Sequence, residues 1–191
     1  MRRISVLLAV VLVAVPGVLL SGSAAHAGEI GLKAIEGRLG FVDIGEGSAG
    51  STFMISGSAD LGMLTPDLGL EVGVDFWTKG WDVGYYEWSW TNIGFVGNIR
   101  YNIQTDGSFR PYGFGGLAIC YQKWDWDCGD FYGAGTWEAD ESGIEFGLNL
   151  GAGAEFGSGK GMTPVARVGY TTSGGADYLY VSGGLRFPIG E

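Results

Sequence analysis

The stretch WSWTNIGFVGNIRYNIQTDGSFRPYGFGGLAI, residues 88–119, decides the fold class. Within residues 92–102, alternate positions carry apolar or aromatic side chains such as Ile93, Phe95 and Ile99, and the positions between them carry mostly asparagine and arginine. This alternation predicts a β-strand with one apolar face. Turn-forming residues follow at 104–108, and a second long strand begins at Phe109. Two strands of about ten residues joined by a short turn have the dimensions of a hairpin that crosses a bilayer.

The first 27 residues predict a secretory signal peptide. Arg2 and Arg3 precede an apolar run over residues 4–20, and the small-residue tripeptide Ala25-His26-Ala27 follows it. This order of positive charge, apolar run and A-x-A site predicts cleavage after Ala27, and an uncleaved N-terminal anchor is the alternative. Residues 28–191 are then predicted to form one β-barrel domain.

The composition argues against two classes of function, nucleic-acid binding and histidine-dependent catalysis. Twenty-one acidic residues against 11 basic ones argue against nucleic acid as a partner. The single histidine, His26, lies in the predicted signal peptide, so the mature chain has no histidine for a nucleophilic triad or a general base. We therefore predict that the protein is not an enzyme and that it uses no cofactor.

Two cysteines, Cys120 and Cys128, lie eight positions apart. Export permits a disulfide between them, but Cys120 belongs to an apolar run and fits a packed or lipid-facing thiol equally well. Two sulfurs without a nearby histidine fall short of the four ligands of a structural zinc site, so no metal site is predicted there.

The alternation recurs along the mature chain and predicts eight strands, at residues 31–42, 52–63, 68–79, 85–102, 110–121, 144–156, 163–171 and 178–187. Periodicity alone does not decide whether the apolar faces point to lipid or to the core of a soluble barrel or sandwich. The lengths of the connections between the strands favour apolar faces that point to lipid. The connections at 43–51, 80–84, 122–143 and 172–177 include the longest, whereas those at 64–67, 103–108 and 157–162 are uniformly short, as in outer-membrane barrels with periplasmic termini.

Aromatic residues cluster around the second and third of the longer connections and predict a girdle at the lipid headgroups. A carbohydrate-binding platform on a soluble fold is the alternative reading. The predicted outer girdle consists of Trp77, Trp81, Tyr85, Tyr86, Trp88, Trp90, Tyr121, Trp124 and Trp126, and an inner one of Tyr101, Phe109, Tyr112, Phe156 and Phe187.

The charged residues of the strands share the face opposite the apolar one, and we expect them to fill the interior as an ion-paired network. An eight-stranded barrel is about filled by its own side chains, so no open diffusion pore is expected, and a narrow gated conductance is the alternative. The network consists of Glu36, Arg38, Asp60, Glu71, Asp75, Arg100, Glu155, Arg167 and Arg186.

The connection at residues 122–142 is acidic. Asp125, Asp127 and Asp130 form a D-x-D-x-x-D pattern that offers some calcium ligands but lacks the full EF-hand sequence. A solvated acidic loop that meets a partner is the better interpretation.

Two segments carry a family resemblance. Arg110-Pro111-Tyr112 with the alternating glycines after it, and the glycine-rich strand at residues 146–156, resemble the OmpA/OmpX-like eight-stranded outer-membrane β-barrels. The resemblance implies an all-β, antiparallel, up-and-down transmembrane barrel in a Gram-negative outer membrane, in contact with its lipid, with structural, adhesive or host-surface roles and no cofactor. The family commonly ends on an aromatic residue, whereas here Phe187 is followed by residues 188–191.

We therefore predict a small integral outer-membrane barrel with a structural or surface-interaction role. Its contact surface for an extracellular ligand is predicted at residues 80–84 and 122–142. The alternative is a secreted soluble β-barrel that binds a small apolar ligand or a sugar.

Overall fold

Eight antiparallel strands close into a barrel in the computed structural model, which describes residues 30–45, 50–83, 86–128, 137–157, 161–174 and 177–189. Each strand pairs with the next, and β8 pairs with β1, so the predicted up-and-down barrel is confirmed. Among the described residues, no helix is long and apolar enough to cross a membrane. The strands are β1 Ile30–Ile44, β2 Ser51–Met63, β3 Leu68–Val83, β4 Tyr86–Asn102, β5 Phe109–Cys128, β6 Trp137–Phe156, β7 Thr163–Thr171 and β8 Tyr178–Pro188.

The two faces of the barrel have opposite polarity. Large apolar side chains point outward, with Phe53 71% and Leu117 67% exposed, whereas charged side chains such as Glu36 and Arg167 are buried inside. The apolar face is therefore the outer face, which answers the question that periodicity left open. An outer surface of this kind fits lipid contact and does not fit a barrel surrounded by water.

Four strands are longer than a membrane crossing requires. β3, β4, β5 and β6 contain 16, 17, 20 and 20 residues, and a transmembrane strand needs about 9 to 11. Their ends form a four-stranded extension that we call the extracellular sheet, made of residues 78–83, 86–91, 123–128 and 137–142. The paired stretches of β2 and β7 stop short of it, at Met54 and Thr171.

The extracellular sheet corrects one prediction. The loop predicted at residues 122–143 is largely strand, because β5 continues to Cys128 and β6 begins at Trp137. Only residues 129–136, which lie outside the described residues, remain for the connection. We assign this end to the cell exterior, since outer-membrane barrels have short turns on the periplasmic side and longer structures outside.

Glycines on the inner face make room for aromatic rings. Tyr112 of β5 lies opposite Gly153 of β6, and a methyl group added at Gly153 would come within 2.5 Å of the Tyr112 ring. Tyr180 and Gly169 repeat this arrangement between β8 and β7. The alternating glycines therefore allow large rings to lie flat against the wall of a narrow barrel.

The outward position of Val74 predicts the effect of a charge there. Val74→Arg places a guanidinium in the lipid face and should destabilise the barrel by about 2 to 4 kcal/mol near the bilayer midplane. The measurement is the yield of folded protein in the outer-membrane fraction, followed by the change in electrophoretic mobility on boiling. Ser89→Arg is the matched control, because Ser89 points outward in the extracellular sheet, where its hydroxyl contacts Asp125. Equal assembly of both variants would contradict the assigned lipid face.

Candidate functional site

One group of ion pairs lies deep in the lumen, around Arg167. Its guanidinium donates to Glu71, with Nη1 2.7 Å from Oε1, and lies 3.3 Å from Glu36 Oε1. Arg38 pairs with Glu36 and lies 4.0 Å from Asp75. All five side chains are buried, and they come from β1, β3 and β7, so this group connects three strands across the lumen.

A second group lies nearer the periplasmic end and converges on Glu155. Arg100 pairs with this carboxylate, Arg110 Nη2 lies 2.8 Å from its Oε2, and Arg186 Nε lies 3.6 Å from its Oε1. Arg186 also pairs with Asp60. The two groups contain all nine side chains that the sequence placed in the interior.

Arg110 is the member that sequence reasoning missed. It shares the inner face of β5 with Tyr112, and it lies opposite Glu155 of β6. The sequence contained a signal for this position, because Arg110 follows the apolar Phe109 and alternation places it on the opposite, inner face. With Arg110 included, the two groups contain five arginines and five carboxylates, so the charges within them balance.

Tyr112 is a correction to the predicted inner girdle. Its ring is 1% exposed, and its hydroxyl accepts a hydrogen bond of 2.8 Å from Arg167 Nε. The Arg100 guanidinium lies over the same ring, 3.8 Å from its centre, a cation–π arrangement. Tyr112 is therefore part of the interior network. The other four members of the predicted inner girdle point outward and are exposed: Tyr101, Phe109, Phe156 and Phe187.

The predicted outer girdle is wrong for the six tryptophans assigned to it, and two of them lie deep inside the barrel. Trp77 and Trp90 are 0% exposed, and their rings pack edge to face inside the barrel with centres 5.2 Å apart. Trp124 stacks on Trp90 at 4.0 Å. Trp77 follows Asp75 by two positions and Trp90 precedes Asn92 by two, so both residues share a face with buried polar side chains. Their position near the strand ends suggested lipid contact, but they lie on the inner face of their strands and therefore point into the lumen.

The same inner face continues upward into the extracellular sheet. The ring centre of Trp88 lies 4.0 Å from that of Trp126. On its other side, Trp88 is stacked on Trp81, with ring centres 6.2 Å apart. The three residues are register partners across β3, β4 and β5, and Trp126, on β5, is 50% exposed. These rings form an aromatic face above the lumen. Of the remaining girdle candidates, Tyr121 points outward and is exposed, while Tyr85 and the side chain of Tyr86 lie outside the described part of the chain.

The opposite face of the extracellular sheet is acidic. Asp125 and Asp140 lie directly across from each other on β5 and β6, and Glu87 is exposed on β4. Lys123 donates a hydrogen bond to Asp125, which raises the pKa of the lysine ammonium above its ordinary value. Since like charges opposite each other are unfavourable, this contact offsets part of the repulsion.

The described acidic residues of the extracellular sheet do not form a calcium site. Asp130 and the side chains of Asp127 and Glu138 lie outside the described residues. Within the part of the chain that the structure describes, no group of three or more His, Cys, Asp or Glu side chains is placed to hold a metal ion.

The structure does not bring the two cysteines of the possible disulfide together. Cys120 and Cys128 lie on the same strand, β5, about 26 Å apart at roughly 3.3 Å per residue, whereas bridged cysteines need Cα atoms within about 7 Å. Cys120 is a free thiol, buried in the lumen beside Val96 and Ala118. The alternative prediction, a packed thiol at Cys120, agrees with this burial.

Comparisons with known proteins agree on one architecture. The family model described as "Outer membrane protein beta-barrel domain" matches residues 6–187. No protein with a curated description matches the sequence.

Solved structures of low sequence identity share the fold. A major outer membrane protein from Thermus thermophilus is 12% identical with a TM-score of 0.59, covering 82% of this chain and 99% of its own. Ail, the attachment invasion locus protein of Yersinia pestis, is 12% identical with a TM-score of 0.53 and the same coverage. Neisserial surface protein A is 16% identical with a TM-score of 0.51, covering 82% of this chain and 96% of its own.

The buried pair of Arg167 and Glu71 yields a stability prediction. Arg167→Met should lower the free energy of unfolding by about 3 to 5 kcal/mol, because it leaves Glu71 and Glu36 buried without their shared partner. The measurement is urea-induced unfolding in lipid vesicles, followed by tryptophan emission. The double variant Arg167→Met with Glu71→Gln should recover part of the loss, since it removes the charge of the carboxylate that loses its ion-pair partner, whereas Glu36 keeps Arg38. A single variant as stable as the wild type would show that the pair does not hold the lumen together.

Proposed function

The chain belongs to the outer membrane protein β-barrel domain family, and from this premise we propose that it is a surface-interaction protein without enzymatic activity. It resides in the outer membrane, in contact with the lipid. Its extracellular sheet is the contact surface, and the partner it takes is positively charged. The stack of Trp81, Trp88 and Trp126 on one face of this sheet, with carboxylates on the other, carries the proposal.

The aromatic face supports recognition of a weakly hydrated cation. Trp126 exposes half of its surface at the β5 end of the stack, and Trp88 packs against it. A guanidinium or alkylated ammonium placed over a tryptophan ring is attracted by the ring's electrons, by about 0.5 to 1 kcal/mol at an exposed site. Glu141 is exposed on β6 opposite Trp124, on this same face, and adds a negative charge beside the rings.

The charge of the chain supports the same partner. The formal net charge is −10, and Glu87, Asp125 and Asp140 lie on the outer face of the extracellular sheet. A surface of one charge sign attracts partners of the opposite sign and speeds their encounter, and salt weakens this attraction.

Ail was solved in complex with sucrose octasulfate, an analogue of heparin. For the present chain, a sulfated ligand of this kind would meet carboxylates on the extracellular sheet, so we expect it to be excluded.

We further propose that the lumen is closed to diffusion. Trp77, Trp90, Tyr112 and Tyr178 are each at most 1% exposed and pack in one cluster within the barrel. The ion pairs around Arg167 occupy the lumen as well. An eight-stranded barrel has room for little beyond such side chains, and the proposed role therefore rests on the extracellular surface rather than on transport.

The test is binding of a nona-arginine peptide to the full chain in detergent micelles, measured by calorimetry beside sucrose octasulfate. The peptide should bind with an affinity that falls as salt rises, and the sulfated sugar should not bind. Trp126→Ala should weaken peptide binding about two- to fivefold, from the loss of one exposed cation–π contact. Asp140→Asn should weaken it and reduce its salt dependence.

Asp106→Asn is the matched control, because it removes the same charge from an exposed turn at the periplasmic end. It should leave peptide binding unchanged. Binding of the sulfated sugar in preference to the peptide, or equal losses in Asp140→Asn and Asp106→Asn, would contradict the proposal.

A further inference from the structure

A small space lies inside the barrel in front of Gly94, in the middle of β4. Gly94 belongs to the inner face of its strand, since it follows the buried Asn92 by two positions. A methyl group added to its Cα would lie 3.4 Å from the Tyr178 hydroxyl, 3.6 Å from Asn92 Nδ2 and 3.6 Å from Cys120 Sγ. These are ordinary contact distances, so polar atoms from β4, β5 and β8 surround a space that the glycine leaves open.

Two of these polar side chains have no partner of their own. Asn92 and Tyr178 are both 0% exposed, and neither the Asn92 amide nor the Tyr178 hydroxyl has a hydrogen-bond partner within the described part of the chain. The indole N–H groups of Trp77 and Trp90 are likewise buried without a partner there. Trp77 lies directly opposite Asn92, and its ring centre is 5.6 Å from that of Tyr178. Unpaired polar groups are therefore concentrated in this section of the lumen.

A carboxylate adjoins the same space. Asp75 of β3 lies directly opposite Gly94, and residues opposite each other in an antiparallel pair have Cβ atoms about 4.5 to 5.5 Å apart. Asp75 is 2% exposed, and its ion pair with Arg38 is long, at 4.0 Å, while Arg38 pairs more closely with Glu36. The Asp75 oxygens can accept further hydrogen bonds, which the amide, hydroxyl and indole groups of this section can donate only through an intermediary that reaches both.

Water is the ligand whose chemistry matches this set of groups. A buried water molecule both donates and accepts, and typically makes about three hydrogen bonds to polar groups that are otherwise unpaired. A cation would meet the N–H donors of the amide and the indoles, and an anion would meet the carboxylate of Asp75. A charged ligand is therefore disfavoured from one side or the other, whereas water suits both.

We propose that the lumen contains an ordered water site at Gly94, where one or more water molecules connect Tyr178 and Asn92 with Asp75. The site joins the aromatic cluster around Trp77 to the deeper group of ion pairs, and it supplies hydrogen bonds to a carboxylate whose counter-ion is distant. The water is enclosed, so it opens no path through the barrel. The site lies below the extracellular sheet and does not depend on the partner proposed for that sheet.

Two tyrosine variants test the site by urea-induced unfolding of the full chain in lipid vesicles. Tyr178→Phe keeps the ring and should lower the urea midpoint, because the hydroxyl loses its hydrogen bond to water. Tyr180→Phe is the matched control, since Tyr180 is buried two positions away on β8 and its hydroxyl donates to Asn149. It should lower the midpoint as well. In a dry space, Tyr178→Phe would remove an unpaired polar group, so a midpoint equal to or above that of the wild type would overturn the proposal.

Nuclear magnetic resonance of the full chain in detergent micelles detects the water itself. The side-chain amide of Asn92 should show a direct nuclear Overhauser effect to water. Gly94→Ala fills the space with a methyl group and should abolish this effect. Gly97→Ala is the matched control, because Gly97 is exposed on the outer face of the same strand, with nothing within 4 Å of an added methyl group.

The mobility change on boiling shows that each variant is folded. Loss of the effect in Gly94→Ala alone supports the site. No effect in the wild-type protein, an effect that persists in Gly94→Ala, or an equal loss in Gly97→Ala would overturn the proposal.

Discussion

The hydrogen-bonding requirement of the backbone in lipid is the constraint on which the rest of the structure depends. Unpaired N–H and C=O groups cost several kcal/mol each in hydrocarbon, so a sheet that crosses the bilayer must close on itself. Here the last strand, β8, pairs with β1 over its full length, from Tyr178 to Pro188. Closure then separates the side chains into two sets of opposite environment, since neighbouring residues of a strand point to opposite faces.

The inward-facing side chains must pair their charges and polar groups with one another in a narrow space. Their charges are arranged so that each buried arginine meets a carboxylate, because an isolated buried charge is too costly to retain. Arg167 with Glu71 and Arg100 with Glu155 fill the deeper and the periplasmic parts of the lumen, and the rings around Trp77 fill the part toward the exterior. Where the strands rise beyond the membrane, the same inner face emerges as the aromatic face of the extracellular sheet.

Much of this architecture was available from the alternation of the sequence. The strands and their two faces follow from period two, and the lengths of the connections then predict that the face with the nine charged residues points inward. The pairs among these residues do not follow from either, because Arg167 and Glu71 are 96 positions apart and meet only when the barrel has closed. The errors had a common origin, since Trp77, Trp90 and Tyr112 were assigned by their height along the strand rather than by their face. The alternation of Trp124 and Trp126 with Asp125 and Asp127 marked residues 122–128 as strand, but their acidity favoured the interpretation as a loop.

The central claim is that the tryptophans belong to the inner face and the extracellular sheet rather than to the lipid surface. The measurement that tests it most directly is quenching of tryptophan emission by lipids with brominated acyl chains. The emission of the wild-type protein should differ little between brominated and ordinary vesicles, whereas Phe95→Trp, which places an indole at an exposed outward position of β4, should add a strongly quenched component. Strong quenching of the wild-type protein would place its tryptophans in the lipid and contradict the account.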